Sequence, residues 1–159
     1  MTTAPLQEIK KELKSLDVDR VQELCMKLAK YKKENKELLN YLLFEAEHEQ
    51  TYISNVKEEV DQLFKSIPST NSTYLVKKSI RKILRFANKQ IKYSDSKQTE
   101  VEIRIFFCLK MKERIDIRYS VTLFNLYQQQ LKKIESALTK LPEDLQTDYQ
   151  RDLTNITTY

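Results

Sequence analysis

Apolar residues recur along this sequence at intervals of three and four, the spacing that places side chains on one face of an α-helix. A first short stripe follows Pro5 and comprises Leu6, Ile9, Leu13 and Leu16. A second stripe comprises Val21, Leu24, Cys25, Leu28 and Ala29, and Asp17 or Asp19 can cap the start of the helix that carries it. The polar segment 32–37 predicts a tight turn, in which Asn35 either ends this helix or caps the next.

The apolar pattern is most sustained between residues 37 and 67. Five apolar residues fall there at seven-residue intervals: Leu39, Ala46, Ile53, Val60 and Ile67. The unbroken phase allows one helix of roughly 30 residues, and a kink or break in the polar stretch Glu45–Thr51 is equally consistent with it. Pro68 and the polar run 69–73 then give the clearest interruption in the chain.

Helical spacing continues in three further segments: from about Thr73 to Tyr93, from near Ser120 to Leu141, and after Pro142. The segment 101–107 is ambiguous, because Val101, Ile103 and Ile105 alternate as in a β-strand. A lone strand cannot satisfy its backbone hydrogen bonds, and no other segment offers a partner strand. We therefore predict that this segment is helical.

These patterns predict an all-α fold of six to eight helices packed as antiparallel hairpins. The arrangement is either a compact bundle or a short superhelix like that of helical-repeat proteins. The length of 159 residues suits a single domain, 1–159, with a possible sub-division at 68–73 between two helical halves. The sequence contains no glycine, which argues against β-rich folds and excludes the glycine-rich phosphate-binding loops of nucleotide-binding enzymes.

The positive charge of the chain is concentrated on one predicted helix. The segment between Tyr74 and Ser94 has no acidic residue and carries seven cations, here called the basic face: Lys77, Lys78, Arg81, Lys82, Arg85, Lys89 and Lys92. At 100° per residue they share a sector of about 140°, and the apolar residues of the helix share an opposing sector roughly 100° wide. The 28 basic residues less these seven leave 21 against 23 acidic residues, so the whole net charge of +5 lies here.

The basic face predicts a non-enzymatic binding module that contacts an anionic partner, either a nucleic-acid backbone or an acidic protein. Five lysines against two arginines favour phosphate contacts over base reading. The flanking aromatic residues, Tyr74, Phe86 and Tyr93, are predicted to be core or boundary residues. The alternative is a structural or adaptor protein that acts by protein–protein interaction or homo-oligomerisation. In that case acids such as Glu58, Glu59 and Asp61 pair with the basic face internally.

Catalytic, metal-binding and cofactor-binding residues are not predicted. Glu45 and His48 have the E-x-x-H spacing of di-metal helical bundles, but such a site needs a second motif and the chain has one histidine. Glu100 and Glu102 lie among apolar residues, and an acid buried there is predicted to pair with Arg104 or the basic face in a structural role.

The cellular compartment and the relation to membranes are predicted from two absent features, a signal peptide and a membrane-spanning segment. The amphipathic N-terminal segment does not resemble a signal peptide, and no apolar run reaches the ~20 residues of a membrane span. A cytoplasmic protein without a membrane partner is therefore expected. Cys25 and Cys108 lie on apolar helix faces without ligand partners nearby, so both are predicted to be buried.

Overall fold

The computed structural model describes residues 2–158, and over that range the chain is helical and contains no β-strand. It forms eight α-helices: α1 (Leu6–Ser15), α2 (Val18–Tyr31), α3 (Lys33–Asn40), α4 (Glu49–Lys65), α5 (Thr73–Ser94), α6 (Lys97–Arg114), α7 (Val121–Leu138) and α8 (Glu143–Thr157). A π-helical turn, Tyr41–Glu45, and a 3₁₀ turn, Ala46–His48, lie between α3 and α4, and a 3₁₀ turn, Ile117–Tyr119, precedes α7. The prediction of an all-α fold with six to eight helices is confirmed.

Short polar side chains cap the N-terminal ends of four helices, and an aspartate takes the usual glycine position after the C-terminal end of one. Asp17 caps α2 as predicted, because its carboxylate accepts a hydrogen bond from the backbone N–H of Arg20 at 2.8 Å. Ser72, Ser96 and Ser120 cap α5, α6 and α7 in the same way. After α5 the chain adopts the left-handed conformation at Asp95, with φ 54°. Glycine usually occupies this position, and aspartate is among the few other residues that tolerate it.

The chain divides into two units, residues 2–44 and 45–158. The boundary falls in the π-helical turn, so the segment 37–67 is not one helix: α3 ends at Asn40 and α4 begins at Glu49. The backbone leaves the helical conformation at His48, with φ −123° and ψ 51°. The loop that contains Pro68 lies inside the second unit, and the assignment of residues 1–159 to a single domain stays a prediction.

The first unit consists of α1, α2 and α3, none of which contains a buried residue. Helix α2 packs against α3 across the predicted turn. There the side-chain N–H of Asn35 donates to the carbonyl oxygen of Leu28 at 2.8 Å and satisfies one of the last carbonyls of α2. Cys25 is exposed, so its predicted burial is wrong. The apolar stripe of α2 is only partly covered, since a short unit has too few helices to enclose it.

The second unit is a bundle in which α6 contacts α4, α5, α7 and α8. The buried residues of α6 lie on several sides of the helix and include Val101, Ile103, Ile105 and Phe107. The Phe107 ring packs against Phe64 of α4 with the ring centres 5.5 Å apart. Because other helices cover α6 on several sides, it needs apolar residues on more than one of its faces. This explains why the apolar residues of 101–107 alternate as they would in a β-strand. The prediction that 101–107 is helical is confirmed, as is the burial of Cys108.

Glu102 joins α6 to two other helices of the bundle. Its carboxylate accepts hydrogen bonds from the Lys57 ammonium of α4 at 2.7 Å and from the Tyr149 hydroxyl of α8 at 2.8 Å. Burial alone would raise the pKa of Glu102, but the bonds from Lys57 and Tyr149 outweigh it and hold the pKa below its ordinary value of 4.5. Glu102 is therefore charged at neutral pH and has a structural role.

The lowered pKa of Glu102 predicts an acid-sensitive contribution to stability. Because the pKa is lower in the folded chain than in the unfolded chain, the charged form stabilises the fold above the unfolded value and this contribution is lost as the pH falls through the folded value. Glu102→Gln should lower the free energy of unfolding by about 1 kcal/mol at neutral pH, and the difference should shrink as the pH falls below the ordinary pKa of 4.5. Urea unfolding at a series of pH values measures this, with Glu58→Gln as the control, since Glu58 is exposed and forms no ion pair within residues 2–158. A difference that does not change with pH would contradict the prediction.

Candidate anion-binding helix face

Helix α5 presents the basic face to solvent because its apolar sector is anchored in the bundle. Ile80, Ile83, Ala87 and Ile91 are buried on one side of the helix. On the other side five cations of the basic face are exposed and two, Lys77 and Lys89, are half-buried. The predicted helix from Thr73 to Tyr93 is confirmed, with its end one residue later at Ser94.

Six cations of the basic face form no ion pair or side-chain hydrogen bond with any residue in the range 2–158: Lys77, Lys78, Arg81, Lys82, Arg85 and Lys92. Lys89 differs, because it takes part in an interaction within the chain. Of the acids considered as internal partners, Asp61 pairs instead with Lys65 at 2.6 Å and with Lys110 at 3.1 Å. The repulsion between neighbouring cations along α5 is therefore mostly uncompensated.

A buried arginine of α6 fixes the position of α5. The guanidinium group of Arg104 donates to Asn88 of α5 at 2.8 Å, to Gln130 of α7 at 2.8 Å and to Glu100 at 3.0 Å. The predicted pairing of a buried acid with Arg104 is thus observed at Glu100. These charge-assisted hydrogen bonds link α5, which carries the basic face, to α6 and α7.

The carboxylate of Glu100 is held in its charged form. Burial alone would raise the pKa of Glu100, but hydrogen bonds from Lys97 and Arg104 outweigh it and hold the pKa below its ordinary value. A general acid that operates near neutral pH needs the opposite shift. Glu100 is therefore a structural ion-pair partner.

A second helix adds a cation near the end of the basic face. Lys133 of α7 and Lys92 of α5 line the same surface cavity of about 230 Å³, together with Asn88, Asp95 and Glu100. Lys133 is exposed and forms no ion pair within the described part of the chain. The sequence did not identify Lys133 as part of this site, because helical periodicity within one segment does not show which residues of another helix lie beside that segment.

The remaining sequence candidates do not assemble into a chemical site. His48 is exposed in a 3₁₀ turn, and its neighbour Glu49 accepts hydrogen bonds from the hydroxyl groups of Ser94 and Thr99. Residues 2–158 contain no group of three or more His, Cys, Asp or Glu side chains placed to hold a metal ion. Glu49 thus ties the start of α4 to the turn between α5 and α6.

The three aromatic residues beside the basic face differ in exposure. Tyr93 is buried and Phe86 is half-buried, as predicted for core and boundary residues. Tyr74 is 71% exposed at the N-terminal end of α5, so its predicted burial is wrong.

No protein-family model, curated protein or solved structure matches this chain. Among the helices of residues 2–158, none combines the length and the apolar character needed to cross a bilayer. The described residues form an all-α fold, and helix α5 of the second unit carries the exposed cations.

Proposed function

We propose that this protein is a non-enzymatic binding module whose basic face contacts the phosphate backbone of nucleic acid. The observation that carries the proposal is the set of six cations on α5 without a partner in the described chain. The cost of holding like charges together is a few tenths of a kcal/mol for each i,i+4 pair. A bound polyanion would remove that cost, and it would also release counterions from its own phosphates.

Nucleic acid fits this face better than an acidic protein does. The cations extend from Lys77 to Lys92, about 22 Å along the helix at 1.5 Å per residue, which suits a linear array of charges. Stable protein interfaces have an apolar or aromatic centre, whereas Tyr74 is the one exposed aromatic side chain among those flanking the basic face. The excess of lysine over arginine supports contacts to phosphate rather than to base edges.

The alternative function, an adaptor whose basic face is neutralised internally, has less support. It requires acids of the same chain to pair with the cations of α5, and six of the seven cations have no such pair within residues 2–158.

A salt titration tests the proposed function. Binding of the full chain to generic duplex DNA and duplex RNA should weaken linearly on a plot of log affinity against log salt concentration. The slope should lie between about −2 and −5, since each phosphate contact contributes about −0.9 and six unpaired cations are available. Fluorescence anisotropy of labelled duplexes measures it. Failure to bind at low salt would overturn the proposal, and so would displacement of the duplex by polyglutamate at equal charge concentration, which would indicate an acidic protein partner.

A further inference from the structure

The first unit has an unusual share of exposed apolar surface. Sixteen large apolar side chains are exposed in the described chain, and twelve of them lie in residues 2–44. They expose on average more than half of their area, which amounts to on the order of 1,000 Å² of apolar surface. These side chains are distributed over α1, α2, α3 and the turn that follows α3.

One part of this surface is a complete amphipathic helix. The apolar side chains of α1 share a sector of about 60° and are between 39% and 83% exposed: Leu6, Ile9 and Leu13. Leu16, which directly follows the helix, is 38% exposed. The remaining residues of α1 are polar or charged. Anchors at positions i, i+3 and i+7 are the pattern by which a helix docks into an apolar groove of a partner.

The other part is an apolar groove in the same unit. A cavity of about 270 Å³ lies between α2 and α3, and its walls include Leu28, Leu38, Leu39 and Leu42, with Cys25 at one side. Leu28 is 62% exposed and Leu42 is 57% exposed. The groove therefore offers apolar side chains that its own chain leaves largely uncovered.

We propose that two copies of this chain associate through their first units, with α1 of each copy seated in the α2–α3 groove of the other. The same 43 or so residues supply both the helix and the groove, which is the requirement for a self-complementary two-fold interface. A stable dimer buries roughly 800 Å² on each partner, of which more than half is apolar, and the exposed apolar side chains of α1 and of the groove can supply that apolar part. Helices as short as α1 and α3 have marginal stability on their own. A second copy would stabilise them by covering their exposed apolar side chains.

Sedimentation equilibrium of the full chain tests the association. At micromolar concentrations and above, the mass should approach twice the 19.0 kDa of one chain. Leu13→Lys on α1 and Leu28→Glu in the groove should each give a monomer, whereas the controls Gln7→Lys and Gln22→Glu should associate like the wild type. All four positions are exposed in the single chain, and circular dichroism of each variant checks that the helices are retained. A monomer in the wild-type sample would overturn the proposal.

Mixing the two variants distinguishes this geometry from unspecific association. In a mixed pair the intact α1 of the Leu28→Glu chain meets the intact groove of the Leu13→Lys chain, and the two introduced charges face each other with opposite sign. The mixture should therefore form dimers although neither variant does so alone. A mixture that stays monomeric, or single variants that associate like the wild type, would overturn the proposed exchange of helices.

Cys25 provides an independent readout at the groove. Burial raises the pKa of the Cys108 thiol to about 12, so a thiol reagent labels Cys25 alone in the folded chain. At high protein concentration Cys25 of the wild type should react several-fold more slowly than Cys25 of the Leu13→Lys variant, and dilution should remove the difference. Equal rates at every concentration would show that nothing covers the groove.

Discussion

Reversing Arg81, Lys82 and Arg85 to glutamate is expected to lower the affinity for duplex nucleic acid by more than about 100-fold at low salt. All three side chains are exposed and form no ion pair within the described chain, so their loss removes phosphate contacts without breaking an internal bond. The triple variant should also have a shallower salt dependence, because each phosphate contact that is lost removes about 0.9 from the magnitude of the slope. Lys89 is left unchanged, since it has an interaction within the chain.

A matched variant separates the basic face from total charge. Arg114, Lys140 and Arg151 are exposed cations of the second unit that lie on other helices or turns and form no ion pair there. Reversing these three to glutamate changes the net charge by the same amount, yet it should leave most of the affinity intact. Equal losses in the two triple variants would mean that net charge, and not α5, determines binding. Thermal unfolding of both variants checks that the fold is preserved.

Replacement of Arg104 by alanine is expected to lower the free energy of unfolding by about 3–5 kcal/mol. The guanidinium group donates hydrogen bonds to side-chain oxygens of Asn88, Gln130 and Glu100. Its removal leaves each of these oxygens without that donor inside the bundle. Arg104→Lys should recover only part of the loss, because an ammonium group cannot reproduce the planar fork of the guanidinium. Urea unfolding monitored by circular dichroism measures both variants.

Lys97→Ala is the control for this prediction. Lys97 pairs with the other carboxylate oxygen of Glu100 at 3.0 Å, but its side chain is 41% exposed, so its removal should cost less than about 1 kcal/mol. If Arg104→Ala proved no more destabilising than Lys97→Ala, the buried network would not be what fixes α5 to α6 and α7.

Properties that depend on one helix alone were accessible from the sequence. The limits of α5, its two opposing sectors and the helical state of the segment 101–107 follow from side-chain periodicity, and the pairing of Glu100 with Arg104 follows from their i,i+4 spacing. The sequence left open whether the segment 37–67 is one helix or is broken within Glu45–Thr51, and the interruption in the structure runs from Tyr41 to His48. The seven-residue phase continues through it, and a change from α-helical to π-helical hydrogen bonding leaves no trace in the order of apolar residues.

Properties that depend on two elements were not accessible. Periodicity identifies the apolar side of α2 but not whether another helix covers it, which is why the burial of Cys25 was wrongly predicted. In the same way, the position of Lys133 beside Lys92 depends on how α7 packs in the bundle. The seven cations were found from the sequence, whereas the absence of internal partners for six of them required coordinates.

The central position of α6 has a consequence for synthesis on the ribosome. Helix α8 packs against α6, its Ile156 is fully buried, and the backbone carbonyl of that residue accepts a hydrogen bond from the Tyr127 hydroxyl at 2.6 Å. Helix α8 is the last helix of the bundle in chain order, so one side of α6 stays uncovered until residues 143–157 have left the exit tunnel. A nascent chain whose α8 has not yet emerged therefore exposes apolar surface on α6, and the bundle cannot complete its folding before that point.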